Sequence, residues 1–114
     1  MRPRLYLGSC IAVGPGKIDL LRRVAETRSI SAAARAMGMT YKRAWLLIDS
    51  LNQGFGKPVV EASAGGKGGG GAHLTPLGEA LVARYASLEA ALAGACTQEL
   101  SDLLALLPQP VGDV

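Results

Sequence analysis

Apolar residues recur every three or four positions from Lys17 to Asn52, and the recurrence breaks twice. Ile18, Leu21, Val24 and Ala25 form one stripe while Arg22, Arg23 and Glu26 fall opposite, so the spacing predicts an amphipathic helix over 17–27. Arg28-Ser29-Ile30 makes a tight connection into a short Ala-rich helix, with Ser31 read as its N-cap. Gly38 follows as a corner free to take a positive φ, and Thr40 opens the next helix, read over about 40–53. Ala33, Ala34 and Met37 are small or pliable, which lets the two helices cross closely. Two helices joined by a three- or four-residue turn containing Gly make a helix-turn-helix.

The second helix of that motif has a spare face. Ala44, Leu47, Ile48 and Leu51 lie at i, i+3, i+4 and i+7 and point to a core. Lys42, Leu46 and Asp49 point away from that stripe, with Arg43 and Trp45 on its flanks. Such a face can neutralise phosphates and meet base edges in a major groove. A solvated basic face is the plainer reading of the same pattern.

Outside this motif the periodicity changes. Arg4 to Val13 reads as one β-strand ending in the turn Gly14-Pro15-Gly16. Gln53 to Pro58 carries turn residues that end the helix, and Val59 to Ala62 is a short strand. Leu74 and its neighbours return as a partner strand after a glycine-rich loop. Two strands so joined after a helix-turn-helix form a wing, here residues 57–75, with the N-terminal strand as its expected third partner. Thr75-Pro76 is a helix start, with a hydroxyl cap, Pro at the first position and Glu79 in the first turn. From there Leu77, Leu81, Tyr85, Leu88, Leu92, Cys96, Leu100, Leu103 and Leu107 recur every three or four residues. Unbroken, that helix would span about 46 Å, more than one small domain covers. A second copy of the same helix is the simplest partner, through Leu81, Tyr85, Leu88, Leu92, Leu100 and Leu103. A break near Gly94 or Thr97 is the alternative, giving two helices. The domain reading is a DNA-binding unit over 1–76, a dimerisation helix over 76–107 and a disordered tail over 108–114. The fold class is mainly α with a small β-sheet.

Composition sharpens this picture. With 114 residues the chain is one domain, and one Trp, one Phe and three Tyr leave Ala, Leu and Val to fill the core. Charged residues interrupt every apolar run before the roughly 18 residues needed to span a membrane. Gly8 and Ser9 break the apolar start, so a strand is expected there rather than a leader, and the protein is read as cytoplasmic. Cys10 and Cys96 lack paired metal-ligand spacing, and His73 is the sole histidine, so no metal or cofactor is expected and both thiols are read as buried. With no nucleophile–base pair, an enzyme is not expected. The net charge of +3 is unevenly shared: residues 1–67 hold eleven of the twelve Lys and Arg, whereas residues 68–114 carry only Arg84 against five acids. A basic front and an acidic back suit a chain that presents one end to a polyanion and the other to itself.

The glycine loop places Gly65, Gly66, Gly68, Gly69, Gly70 and Gly71 around Lys67. A nucleotide-binding loop needs GxxxxGK followed by Ser or Thr and then a helix; here Gly68 follows Lys67 and the helix starts only at Pro76. A wing tip laid on DNA, its amides and Lys67 meeting phosphates, fits better.

GGKGGGGAHLT (Gly65 to Thr75), SISAAARAMGMTYKRAW (Ser29 to Trp45) and the SLN at Ser50 to Asn52 together resemble the DNA-binding domain of the ModE family, molybdate-responsive bacterial regulators. The resemblance runs from about Lys17 to Tyr85; LysR-type winged helices are similar over the same span more loosely. It implies a dimeric winged helix-turn-helix on a palindromic operator in double-stranded DNA. It also places Ser31, Thr40, Tyr41, Lys42, Arg43 and Trp45 near DNA, with the Gly65–Gly71 wing beside them. Arg35 and Lys67 join Lys42 and Arg43 as phosphate contacts. Full-length members carry C-terminal molybdate-binding domains; no oxyanion site is visible in residues 108–114, so the expectation is the DNA-binding part without that domain and without an identifiable small-molecule effector. The expected function is a homodimeric, sequence-specific transcription regulator. A module that heterodimerises with a full-length regulator and modulates it is the alternative.

Overall fold

A computed structural model describes residues 2–7, 11–63 and 71–108. Two short strands, β1 (Leu5–Leu7) and β2 (Ile11–Val13), pair antiparallel with Leu5 opposite Val13. The expected single strand from Arg4 to Val13 is therefore two, and the segment spends its backbone groups on itself. Helix α1 (Pro15–Thr27) follows, with Pro in its first turn, where a missing N–H costs nothing. It buries Ile18, Leu20, Leu21 and Val24, and stops at Arg28, whose backbone is left-handed at φ 56°.

Helix α2 (Ile30–Ala36) begins two residues earlier than expected. Its cap is Ser29, extended and accepting from the Ala32 amide at 3.0 Å, whereas Ser31 is already helical and exposed. Gly38 takes φ 67° at the corner, as the sequence required. Helix α3 (Tyr41–Phe55) is capped by Thr40, whose hydroxyl accepts from the Arg43 amide at 3.0 Å. It runs two residues beyond the expected end because Gly54 and Phe55 stay helical and Gly56, at φ 72°, ends it. Ala33, Ala34 and Ala44 are fully or almost fully buried, so α2 and α3 pack closely across small side chains.

Strands β3 (Val60–Ala62) and β4 (Ala72–Leu74) pair antiparallel, with Glu61 opposite His73. The N-terminal strands are not their third partner: the two pairs are separate sheets. What lies on the free edge of β4 is instead the Arg28 carbonyl, which accepts from the Ala72 amide at 2.9 Å. Helix α4 (Pro76–Ala95) starts at Thr75, whose hydroxyl both accepts from the Gly78 amide at 3.1 Å and donates to the Pro58 carbonyl at 2.8 Å. The long C-terminal helix is broken at Cys96, and α5 (Thr97–Leu104) continues without a side-chain cap. The Thr97 hydroxyl donates back to the Ala93 carbonyl at 2.6 Å, which favours a bend there.

One core joins these elements. Its largest fully buried side chains are Ile18, Leu20, Leu21, Val24, Ile48, Leu51 and Val59, each stabilising by roughly 1.5–3 kcal/mol on burial. Tyr85 of α4 completes it at 3% exposure, with its hydroxyl donating to the Pro3 carbonyl. Residues of α5 are all exposed, among them Leu100, Leu103 and Leu104. The radius of gyration, 17.7 Å, exceeds the about 13 Å of a compact domain this long, because the C-terminal helices run outward from the core.

A four-membered ion network holds the N-terminus to α1 and α4. Arg2 pairs with Asp19 and, at 3.3 Å, with Glu89; Arg22 bridges the same two carboxylates at 3.3 Å each. The hydrogen bond from Arg2, with burial opposing it, holds the Asp19 carboxyl below its ordinary value. A depressed carboxyl adds stability above its unfolded value, about 3.9, and loses it as pH falls through the folded value. Asp19→Asn should therefore melt below the parent by a constant margin from pH 8 to about pH 5, and the margin should vanish in more acidic solution. A margin unchanged at pH 3 in thermal melts would contradict this.

Candidate nucleic-acid interface

The spare face of α3 is open along its first two turns. Tyr41 is 55% exposed, Trp45 43% and Leu46 52%, with Lys42 and Arg43 exposed between them. Three large side chains, two of them aromatic, are thus left uncovered beside two cations at the start of one helix. The opposite face, Ala44, Ile48 and Leu51, is buried, which fixes the rotation of the helix about its axis. Neither Lys42 nor Arg43 has an ion-pair partner among the described residues; the Arg43 backbone amide goes to the Thr40 cap. The helix start that displays them is thus rigid, while their charged ends are available.

The wing root lies beside that face. Ser29, Ile30 and Ser31 of the α2 start, Tyr41 of α3, and Gly71 and Ala72 of the wing line one cleft of about 170 Å³. Ser31 and Tyr41, singled out from sequence, are brought together there. Arg35 is exposed in the last turn of α2. Gly65, Gly66, Lys67, Gly68 and Gly69 lie outside the described residues, so the structure locates the wing by its root alone. The root itself is tight: a Cβ on Gly71 would stand 2.7 Å from the Arg28 carbonyl oxygen. Across the β3–β4 pair, the Ser63 hydroxyl and His73 Nδ1 are 3.0 Å apart, and His73 Nε2 is 3.8 Å from Glu61.

Sequence reasoning missed two residues of this surface. Ser29 carries the same N-cap signal as Ser31, and only the helix start decides between them. Arg28 has no signal at all, since a left-handed helix end is usually glycine. At the other end of the molecule, Leu81, Leu88 and Leu92 are half-buried, Leu100 and Leu103 are exposed, and Tyr85 is turned into the chain's own core. Cys96 is a free, half-buried thiol, and Cys10 lies outside the described residues. Among the described residues no group of His, Cys, Asp and Glu could hold a metal ion, and no helix is long and apolar enough to cross a membrane.

Known proteins resemble the chain at this surface and beyond. The family model for bacterial regulatory helix-turn-helix proteins of the LysR family matches residues 16–79. The molybdenum-pterin-binding protein MopB of Rhodobacter capsulatus is 48% identical over 81 residues, 71% of this chain and 30% of that protein. The DNA-binding transcriptional dual regulator ModE of Escherichia coli K12 is 42% identical over 81 residues, 71% of this chain and 31% of that protein. The chain thus spans under a third of the length of the curated relatives it matches. Among solved structures, the DNA-binding domain of CbnR in complex with DNA superposes with a TM-score of 0.58 at 22% identity, covering 79% of this chain and 95% of that one. The BenM DNA-binding domain on benA site 1 DNA gives 0.56 at 16% identity, covering 80% and 94%. These two likenesses establish the winged-helix fold.

Proposed function

The chain belongs to the LysR family of bacterial regulatory helix-turn-helix proteins, and from that premise we propose that it is a sequence-specific DNA-binding transcription regulator acting as a homodimer in the cytoplasm. Helix α3 enters the major groove with Tyr41, Lys42, Arg43 and Trp45 leading, and the wing follows the flanking backbone. The observation that carries this reading is the uncovered aromatic and basic face of α3 beside the wing root. Ser31 and Arg35 lie on the same side of the motif in sequence order and serve as backbone contacts, with Lys67 at the wing tip.

The homodimer rests on the C-terminal helices. Leu100, Leu103, Leu104, Leu106 and Leu107 are all exposed, and Leu88 and Leu92 are half-covered on the preceding helix. A run of this kind needs an apolar partner, and a two-fold pairing of identical helices supplies one. A dimer with two α3 helices reads a palindrome with half-sites about one helical turn apart. No small-molecule effector is proposed for the described residues.

Selection of bound fragments from genomic DNA at two salt concentrations tests the reading. The expected yield is a palindromic consensus that sharpens at the higher salt, where backbone binding weakens. Fragments without a shared sequence at either salt would refute sequence-specific binding.

A further inference from the structure

Three cations from different elements meet where α1 begins. Arg4, Lys17 and Arg43 line one cleft of about 270 Å³ together with Gly14, Pro15, Gly16, Met39 and Leu47, and among the described residues no Asp or Glu lines it. Three chain segments far apart in sequence deliver these cations. Gly14 is buried under the stem of Arg4, close enough that a Cβ there would be 3.2 Å from Arg4 Cγ. Lys17 Nζ is held in place by donating to the Ala12 carbonyl at 2.8 Å and the Ser50 hydroxyl at 3.1 Å, both neutral acceptors. Burial first, then repulsion from Arg4 and Arg43, pushes the Lys17 ammonium below its ordinary value. Lys17, whose two acceptors are neutral, carries this cost, and an anion in the cleft relieves it. The helix adds its own field: no side chain caps α1, and its first-turn residues Gly16 and Lys17 line the same cleft.

We propose that the cleft formed by Arg4, Lys17, Arg43 and the start of α1 binds a phosphate-type oxyanion. Two sources carry that chemistry. One is a backbone phosphate of the bound duplex, which rests on the DNA reading above, since Arg43 belongs to both the cleft and the α3 face. The other is a free inorganic anion. In the first case the cleft clamps the DNA backbone behind the recognition helix, setting how deeply α3 enters the groove while carrying no base preference.

Two measurements separate these sources and test the site. The first titrates inorganic phosphate into the unmodified chain and follows the amide signals of Gly16 and Lys17 by NMR. The second compares the salt dependence of duplex binding for the parent and Lys17→Gln, on the selected operator and on a scrambled duplex. A backbone phosphate predicts equal loss of affinity on both duplexes and a salt slope smaller by about one contact in the variant, about 0.9 in log–log units. A free anion predicts saturable shifts at Gly16 and Lys17 that Lys17→Gln abolishes, with the salt slope unchanged. An unchanged slope with no saturable shift overturns the site. Lys17 also ties α1 to β2 and α3, so the variant's melting is recorded; should it unfold, the titration of the unmodified chain decides by itself. Failure to bind any duplex would strike the DNA reading alone, because the phosphate titration contains no DNA.

Discussion

Gly78→Ala is expected to destabilise the fold by about 1–3 kcal/mol, the range for overpacking a filled site. Alanine ordinarily stabilises a helix interior relative to glycine by about 1 kcal/mol, so the sign of the effect is diagnostic. At Gly78 a Cβ would stand 2.2 Å from the Val59 carbonyl oxygen and 3.1 Å from its carbon. That oxygen is itself committed, accepting from the Thr75 amide at 3.0 Å. Backbone on both sides leaves no flexible end to move aside. Glycine here lets α4 lie directly on the strand leading into the wing, with the Thr75 hydroxyl tying the two together. Gly94, in the same helix, has nothing within 4 Å of its added Cβ, so Gly94→Ala should raise the melting temperature. Paired thermal melts check this: about 4–8 °C per kcal/mol is expected in a domain of this size, with opposite signs at the two sites. Equal shifts in both variants would show that α4 does not press on Val59.

Where a structural feature is encoded by neighbours in the chain, it is legible in the sequence itself. Thr40 and Gly38 act within four residues of themselves, and both do what their chemistry requires. The stripe of Ala44, Ile48 and Leu51 named the buried face of α3 and, by subtraction, the open one. Pairing across distance was not legible. Nothing local says that Leu5 sits opposite Val13 instead of joining the wing, because the competing pairings differ only in tertiary packing. Periodicity gave the face of Tyr85 but not its depth, so a residue read as part of a dimer surface lies in the core of its own chain. The oxyanion cleft was invisible for the same reason, as Arg4, Lys17 and Arg43 meet only after folding. The break at Cys96 was one of two readings of a leucine pattern that continues on both sides of it.

Lys42→Ala combined with Arg43→Ala should abolish specific DNA binding while leaving the fold and the oligomeric state unchanged. Each direct contact of this kind is worth about 1–3 kcal/mol, so the pair together should cost a hundredfold or more in affinity, roughly. Stability is spared for a physical reason: both side chains are exposed, and the hydrogen bond that starts α3 uses the Arg43 backbone, which alanine keeps. The apolar stripe of α4 and α5 is likewise untouched, so sedimentation should return the parent's mass. Thr40→Ala supplies the opposite control. It removes the cap, at about 1 kcal/mol of stability, yet keeps every charge on the helix face, so any loss of affinity while it is folded reports the Thr40 hydroxyl alone and stays far below that of the double variant. The two effects separate cleanly in a titration at 10 °C, where both variants remain folded. Arg43 carries a second consequence, because it also lines the oxyanion cleft. If both roles hold, Arg43→Ala alone lowers the salt slope on a scrambled duplex as well as the preference for the operator, whereas Lys17→Gln lowers the slope and spares the preference. A double variant that retards its operator as the parent does, at both salt concentrations, would sink the assignment of α3 as the reading helix.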